Sequence, residues 1–130
     1  MTTNFELVRE FTKVMGQPMY SDPTWPGNDM TKLRLDLIDE EVAELKEAIV
    51  DNDMIGIADA LADILYVVYG AGLTYGLNLD VIFREVHRSN MTKLDSDGNP
   101  IKNEAGKIVK GPNYESPKLE KFINPIIRTI

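Results

Sequence analysis

The chain has no cysteine and a single histidine, His87. The first absence excludes disulfides and thiolate metal sites, and the second excludes a histidine-rich zinc site within one chain. Any metal would have to be held by oxygen. Positive charge is also scarce: 14 Lys and Arg stand against 21 Asp and Glu, a net charge of −7. This balance argues against nucleic acid or an anionic membrane as the main partner, and a phosphate-bearing ligand would need local Lys/Arg or a metal ion. The N-terminus "MTTNFELVREF" lacks the basic and apolar regions of a signal peptide. The longest apolar run, around "ILYVVYGAGL", reads as too short to span a bilayer. The expectation is a soluble cytoplasmic protein, and 130 residues with 43% hydrophobic content suit a single domain over 1–130.

Helical periodicity dominates what is present. Thr3 and Glu6 stand at capping-box spacing, and Phe5, Val8, Phe11, Val14 and Met15 continue a helix until "GQP" at Gly16 to Pro18. "YSDPTWPGNDM", Tyr20 to Met30, is a connection in which Trp25 is expected to anchor in the core. A second helix is predicted from about Thr31 to Val50, on the spacing of Ile38, Val42, Leu45 and Ile49, with "DND" at Asp51 to Asp53 ending it. The third, roughly Met54 to Tyr75, is apolar on nearly every side and should lie buried in a bundle or in an oligomer interface. Gly76 and Asn78 then read as C-cap and N-cap before a fourth helix from Leu79 to about Thr92, with Ile82, Phe83 and Val86 facing inward. "DSDGNP" and "NEAG" are turn signals that predict a hairpin-like excursion. The fold class expected is all-α, a four-helix bundle-like domain with a short C-terminal hairpin or loop extension.

The acids of "LIDEEVAELKEAI", Leu37 to Ile49, divide on a helical projection. Asp39 and Glu47 fall on the solvent side, whereas Glu41 and Glu44 border the apolar stripe and Glu40 stacks one turn before Glu44. In the third helix Asp59 and Asp63 are the only breaks in an apolar cylinder and share one face with Tyr66. Two carboxylates there need compensation, either from buried donors such as Arg34 or from a cation. If the two helices converge, the result is an oxygen-only site suited to Mg²⁺ or Mn²⁺. "DSDGNP" is set aside as a calcium loop because Pro100 replaces the required glycine.

"EEVAEL" followed by "DALADILYVVYG" resembles the all-α nucleoside triphosphate pyrophosphohydrolases of the MazG-like, phosphoribosyl-ATP pyrophosphohydrolase-like superfamily. That family's signature is an ExxE on one helix and an ExxD on the next, holding the magnesium ions of a triphosphate. Glu41 and Glu44 match the first half and Asp63 the aspartate of the second, but Ala60 stands where the second Glu belongs and the nearby acid is Asp59. "VHRSNMTK" and "GKIVKGPNYESP" resemble the tail of small phage-type members, so that the likeness runs from about Phe5 to Pro117.

The resemblance implies a metal-dependent pyrophosphohydrolase that cleaves between the α- and β-phosphates of a nucleotide to give a monophosphate and pyrophosphate. It implies Glu41, Glu44 and Asp63 as ligands of Mg²⁺ or Mn²⁺, assisted by Asp59, with Glu40 or Glu41 orienting or deprotonating water and Lys93 meeting the leaving pyrophosphate. Asn90, Lys93, Lys110, Asn113 and Tyr114 are implied as substrate contacts. The base would sit between the first helix and the connection after it, near Phe11, Gln17 and Trp25, although a core role is the favoured reading of Phe11 and Trp25. A purine deoxynucleotide such as dGTP is the expected substrate, again by resemblance. The alternatives are phosphoribosyl-ATP hydrolysis, which the long C-terminal extension disfavours, and a non-catalytic helical assembly protein in which Asp59 and Asp63 only pair with Arg or Lys. Self-association is expected from the apolar third helix, and the resemblance implies a homodimer or homotetramer with sites near subunit interfaces.

Overall fold

A computed structural model describes residues 1–123 and 127–130. In chain order the elements are α1 (Asn4–Val14), β1 (Thr24–Trp25), α2 (Asn28–Val50), α3 (Met54–Tyr75), α4 (Leu79–Asn90), α5 (Glu120–Ile123) and β2 (Arg128–Thr129). Among the described residues the fold is all-α apart from two isolated bridges in the C-terminal segment and one parallel pairing of β1 with β2, Thr24 opposite Arg128 and Trp25 opposite Thr129.

Local chemistry sets each helix end. The Thr3 hydroxyl caps α1 by accepting from the Glu6 N–H at 3.1 Å and donates to Asp80 Oδ2 at 2.7 Å, which ties the start of α1 to the start of α4. Between α2 and α3 the turn is very short: the Asp53 N–H donates to the Ala48 carbonyl, and the Asp53 carboxylate accepts from the Gly56 N–H at 2.9 Å. A Cβ at Gly56 would lie 2.6 Å from Asp53 Oδ2, so a side chain there would open the turn. The short connection forces α2 and α3 into an antiparallel hairpin. That hairpin sets the acids of α2 opposite those of α3.

The core lies where α1 crosses α3. Phe5, Val8 and Leu73 are buried together, with Met19, Tyr69 and Leu79 packed around them, and burial of each such side chain contributes roughly 1.5–3 kcal/mol. Gly76 closes α3 at φ +68°, where a Cβ would sit 1.8 Å from the Asp22 carbonyl oxygen. Both the left-handed backbone and the close approach require glycine. The first turn of α4 completes this packing, since Leu79 occupies the space beside Gly72.

Beyond α4 the expected excursion is present as two turns of one design. Asp95 Oδ1 accepts from the N–H groups of Asp97 and Asn99, and Asn103 Oδ1 does the same for Ala105 and Lys107. Gly98 and Gly106 take the positive φ that each turn needs. Single antiparallel bridges, Leu94 with Pro100 and Lys102 with Ile108, close them. The segment is clamped to α4 by Glu85, which is buried. It accepts two bonds from the Arg88 guanidinium at 2.9 Å and one from the Lys118 N–H at 2.6 Å.

Several expectations change. Trp25 is 57% exposed and is not a core anchor; it packs edge-to-face on Tyr75 at 6.3 Å while backbone pairing holds β1. Phe83 is 71% exposed, because the covered face of α4 centres on Glu85 and Ser89. In the single chain α3 is far from buried: Leu61, Leu65 and Val68 are exposed. At 22 residues α3 is also long and apolar enough, by length and composition alone, to cross a membrane, which corrects the reading of its apolar run as too short. It packs on α1 and α2 and carries Asp59 and Asp63.

Candidate functional site

Glu41 and Glu44 on α2 and Asp63 on α3 each offer a carboxylate oxygen within 4.8 Å of the others. Glu41 Oε2 is shut off from solvent and has no hydrogen-bond partner among the described residues. The Glu41 carboxyl is pushed up to about 6, first by burial, then by Glu44, Asp63 and Glu40. Asp63 is raised as well, by burial and by the charges of Asp59 and Glu44. Among the described residues no Lys or Arg is ion-paired with any of these acids. An orphaned oxygen within three mutually repelling carboxylates fits a divalent cation of the Mg²⁺ or Mn²⁺ type.

Asp59 lies outside this trio but borders it. It lines an acidic groove between α2 and α3 with Glu44, Glu47, Asp51 and Asp53, and its charge acts on Asp63. Ala60, where the family signature has an acid, is buried beside that groove. Glu40 is exposed next to Glu41. Arg34 is not the partner of Asp59 or Asp63: its Nε donates to Thr74 Oγ1 at 2.8 Å within the helical layer. The sequence signals of that placement are Gly70 and Thr74, spaced four apart in α3.

The residues expected to contact substrate gather at a second place. Lys110 Nζ stands 4.7 Å from the centroid of the Tyr114 ring. The Tyr114 hydroxyl is held below the usual phenol range by Ser89 first, then by Ser116 and the charges of Lys110 and Lys93. Asn90 and Asn113 are exposed beside this basic cluster. None of the five is among the charged or hydrogen-bonding groups acting on Glu41 or Asp63. Of the residues suggested for the base, Phe11 and Gln17 share one cavity, while Trp25 lines a different one.

Fold and site together define an all-α protein with three convergent carboxylates across a helical hairpin. The sequence profile of the phosphoribosyl-ATP pyrophosphohydrolase family matches residues 8–90, and the chain belongs to that family, within the MazG-like superfamily. Uncharacterized protein L479 of Acanthamoeba polyphaga mimivirus is 41% identical over 102 residues, 75% of this chain. The chain spans 38% of that relative's length. A crystal structure described as a candidate NTP pyrophosphohydrolase, from Exiguobacterium sp. 255-15, aligns over 90% of each chain at 24% identity with a TM-score of 0.47.

Proposed function

We propose that the chain is a metal-dependent nucleoside triphosphate pyrophosphohydrolase, converting a (d)NTP and water to a (d)NMP and pyrophosphate. The observation that carries this is the trio Glu41, Glu44 and Asp63, which meets within 4.8 Å with one buried oxygen unpartnered. Membership of the family supports it. Glu41, Glu44 and Asp63 hold Mg²⁺ or Mn²⁺, with Asp59 adjusting the field at Asp63. When bound, the metal neutralises phosphate oxygens and acidifies water at the site. Glu41, whose carboxyl is already raised to about 6, or the adjacent Glu40, orients the attacking water and takes its proton.

Lys93 and Lys110, with Tyr114, Asn90 and Asn113, serve the phosphates and the nucleotide, and Lys93 stabilises the leaving pyrophosphate. Because this basic cluster does not act on the acidic trio within one chain, a second copy is the natural source of the missing half. The exposed Leu61, Leu65 and Val68 on α3 offer the surface for such a homodimer or homotetramer. The mimivirus relative is viral, which supports a viral origin for this chain and with it a setting in a host cytoplasm. We take a purine deoxynucleotide such as dGTP as substrate. Phosphoribosyl-ATP is the second reading, favoured by the family's own description.

The test is a product assay with Mg²⁺ or Mn²⁺ across deoxy- and ribonucleotides and phosphoribosyl-ATP. Stoichiometric pyrophosphate is expected; orthophosphate, or no turnover of any substrate, contradicts the proposal.

A further inference from the structure

Arg34 is 6% exposed, yet no carboxylate lies within ion-pair distance of it among the described residues. Its Nε is used by Thr74, and its two terminal nitrogens have no protein acceptor among those residues. These nitrogens are not sealed from solvent, so they remain free to donate to an acceptor that enters beside them. The fold keeps space for this guanidinium, since a Cβ at Gly70 would lie 2.8 Å from Arg34 Nη1. Arg34 lines a cavity of about 250 Å³ together with Phe11, Gln17, Leu37, Tyr66 and Gly70. Phe11 and Tyr66 meet edge-to-face there at 5.4 Å.

Clefts for whole ligands usually span roughly 300–1,000 Å³, so this cavity suits one flat moiety of a larger molecule. Leu37 stands one turn before Glu41 on α2, and Tyr66 one turn after Asp63 on α3. The cavity therefore adjoins the carboxylate trio.

We infer that this cavity takes the nucleobase and that Arg34 selects a base presenting a carbonyl oxygen, with guanine the best match. The inference rests on the pyrophosphohydrolase reading and adds the residue that would set its specificity. A guanidinium only donates. Guanine offers two acceptors, O6 and N7, on one edge, which fit two of its N–H groups. Adenine places an amino donor where O6 stands, so donor would face donor in a buried site. Uracil and thymine present one acceptor on the corresponding edge and should rank between the two.

The experiment compares pyrophosphate release by the intact protein from dGTP and from the 2,6-diaminopurine deoxynucleoside triphosphate, which replaces the 6-oxo group by an amino group. A preference for dGTP in kcat/KM of about tenfold or more is expected, and Arg34→Met should bring the ratio close to one. Equal use of the two nucleotides by the wild type, or an unchanged ratio in a folded Arg34→Met protein, overturns the inference. The wild-type arm needs no variant, so misfolding of the variant cannot hide the answer. Thermal shifts with each nucleotide, read on the same samples, separate the two readings. Preferential stabilisation by dGTP without turnover contradicts the hydrolase reading alone, whereas neither turnover nor preference contradicts both.

Discussion

Glu41 and Glu85 are both partly withdrawn from water on helices of one small domain, and their carboxyls end far apart, at about 6 and about 2. Around Glu85 stand the Arg88 guanidinium and the Lys118 N–H, which stabilise its charge. Around Glu41 stand Glu44, Asp63 and Glu40, which oppose it. Glu85 is a satisfied group whose task is architectural, since it fastens the C-terminal excursion to α4. Among the described residues no cation offsets the Glu41 cluster, and under the proposed function a bound divalent ion relieves it. Burial of an acid is therefore uninformative by itself; what surrounds it separates a clamp from a site.

The contrast breaks most sharply by substitution. Glu44→Gln or Asp63→Asn should lower metal-dependent pyrophosphate release by on the order of a hundredfold or more, while the thermal midpoint without metal holds or rises because a repulsion is removed. Loss of folding in both variants would make the trio structural and would erase the distinction. Glu85→Gln should do the reverse. Its thermal midpoint should fall by several degrees and residues 94–118 should become open to limited proteolysis, with turnover falling less than in Glu44→Gln.

Titration sharpens the same comparison, with opposite signs. Glu85 has its carboxyl lowered from 4.5 to about 2, so its stabilisation is complete above about pH 4.5 and is lost as pH falls toward 2. Glu41 is raised from 4.5 to about 6, so its ionisation costs stability that is absent below pH 4.5 and fully felt above about 6. Metal-free protein should therefore lose stability as pH rises from 4.5 to 6, and Mg²⁺ should cancel that loss. A pH–midpoint curve that is the same with Mg²⁺ and with a chelator would contradict the assignment. The smallest effect is expected for Asp59→Asn, about tenfold in metal affinity, because it acts on the trio from outside. A loss as large as that of Asp63→Asn would make Asp59 a direct ligand.

Much of this was readable in the residues. Met54 to Tyr75 is a helix over the range expected because its ends are written locally, in the Asp53 cap and the left-handed Gly76. Glu41, Glu44 and Asp63 converge because helical spacing and a short turn suffice to bring them together. Trp25 and Phe83 were misplaced for a common reason. Large apolar side chains favour burial, but which face is covered depends on the C-terminal segment that packs on α4 and the β2 strand that pairs with β1, both remote in sequence. Arg34 stays open in the sequence as one alternative partner of Asp59 and Asp63, because nothing local shows that Thr74, forty residues away, takes its Nε.

The central claim is that Glu41, Glu44 and Asp63 form one divalent cation site, and calorimetric titration of Mn²⁺ into the intact protein at pH 7 and pH 5 addresses it most directly. The account predicts saturable binding that weakens at pH 5, where protons compete for the raised carboxyls, and that disappears in Glu44→Gln. Binding of equal strength in wild type and Glu44→Gln, or no binding at pH 7, would contradict it.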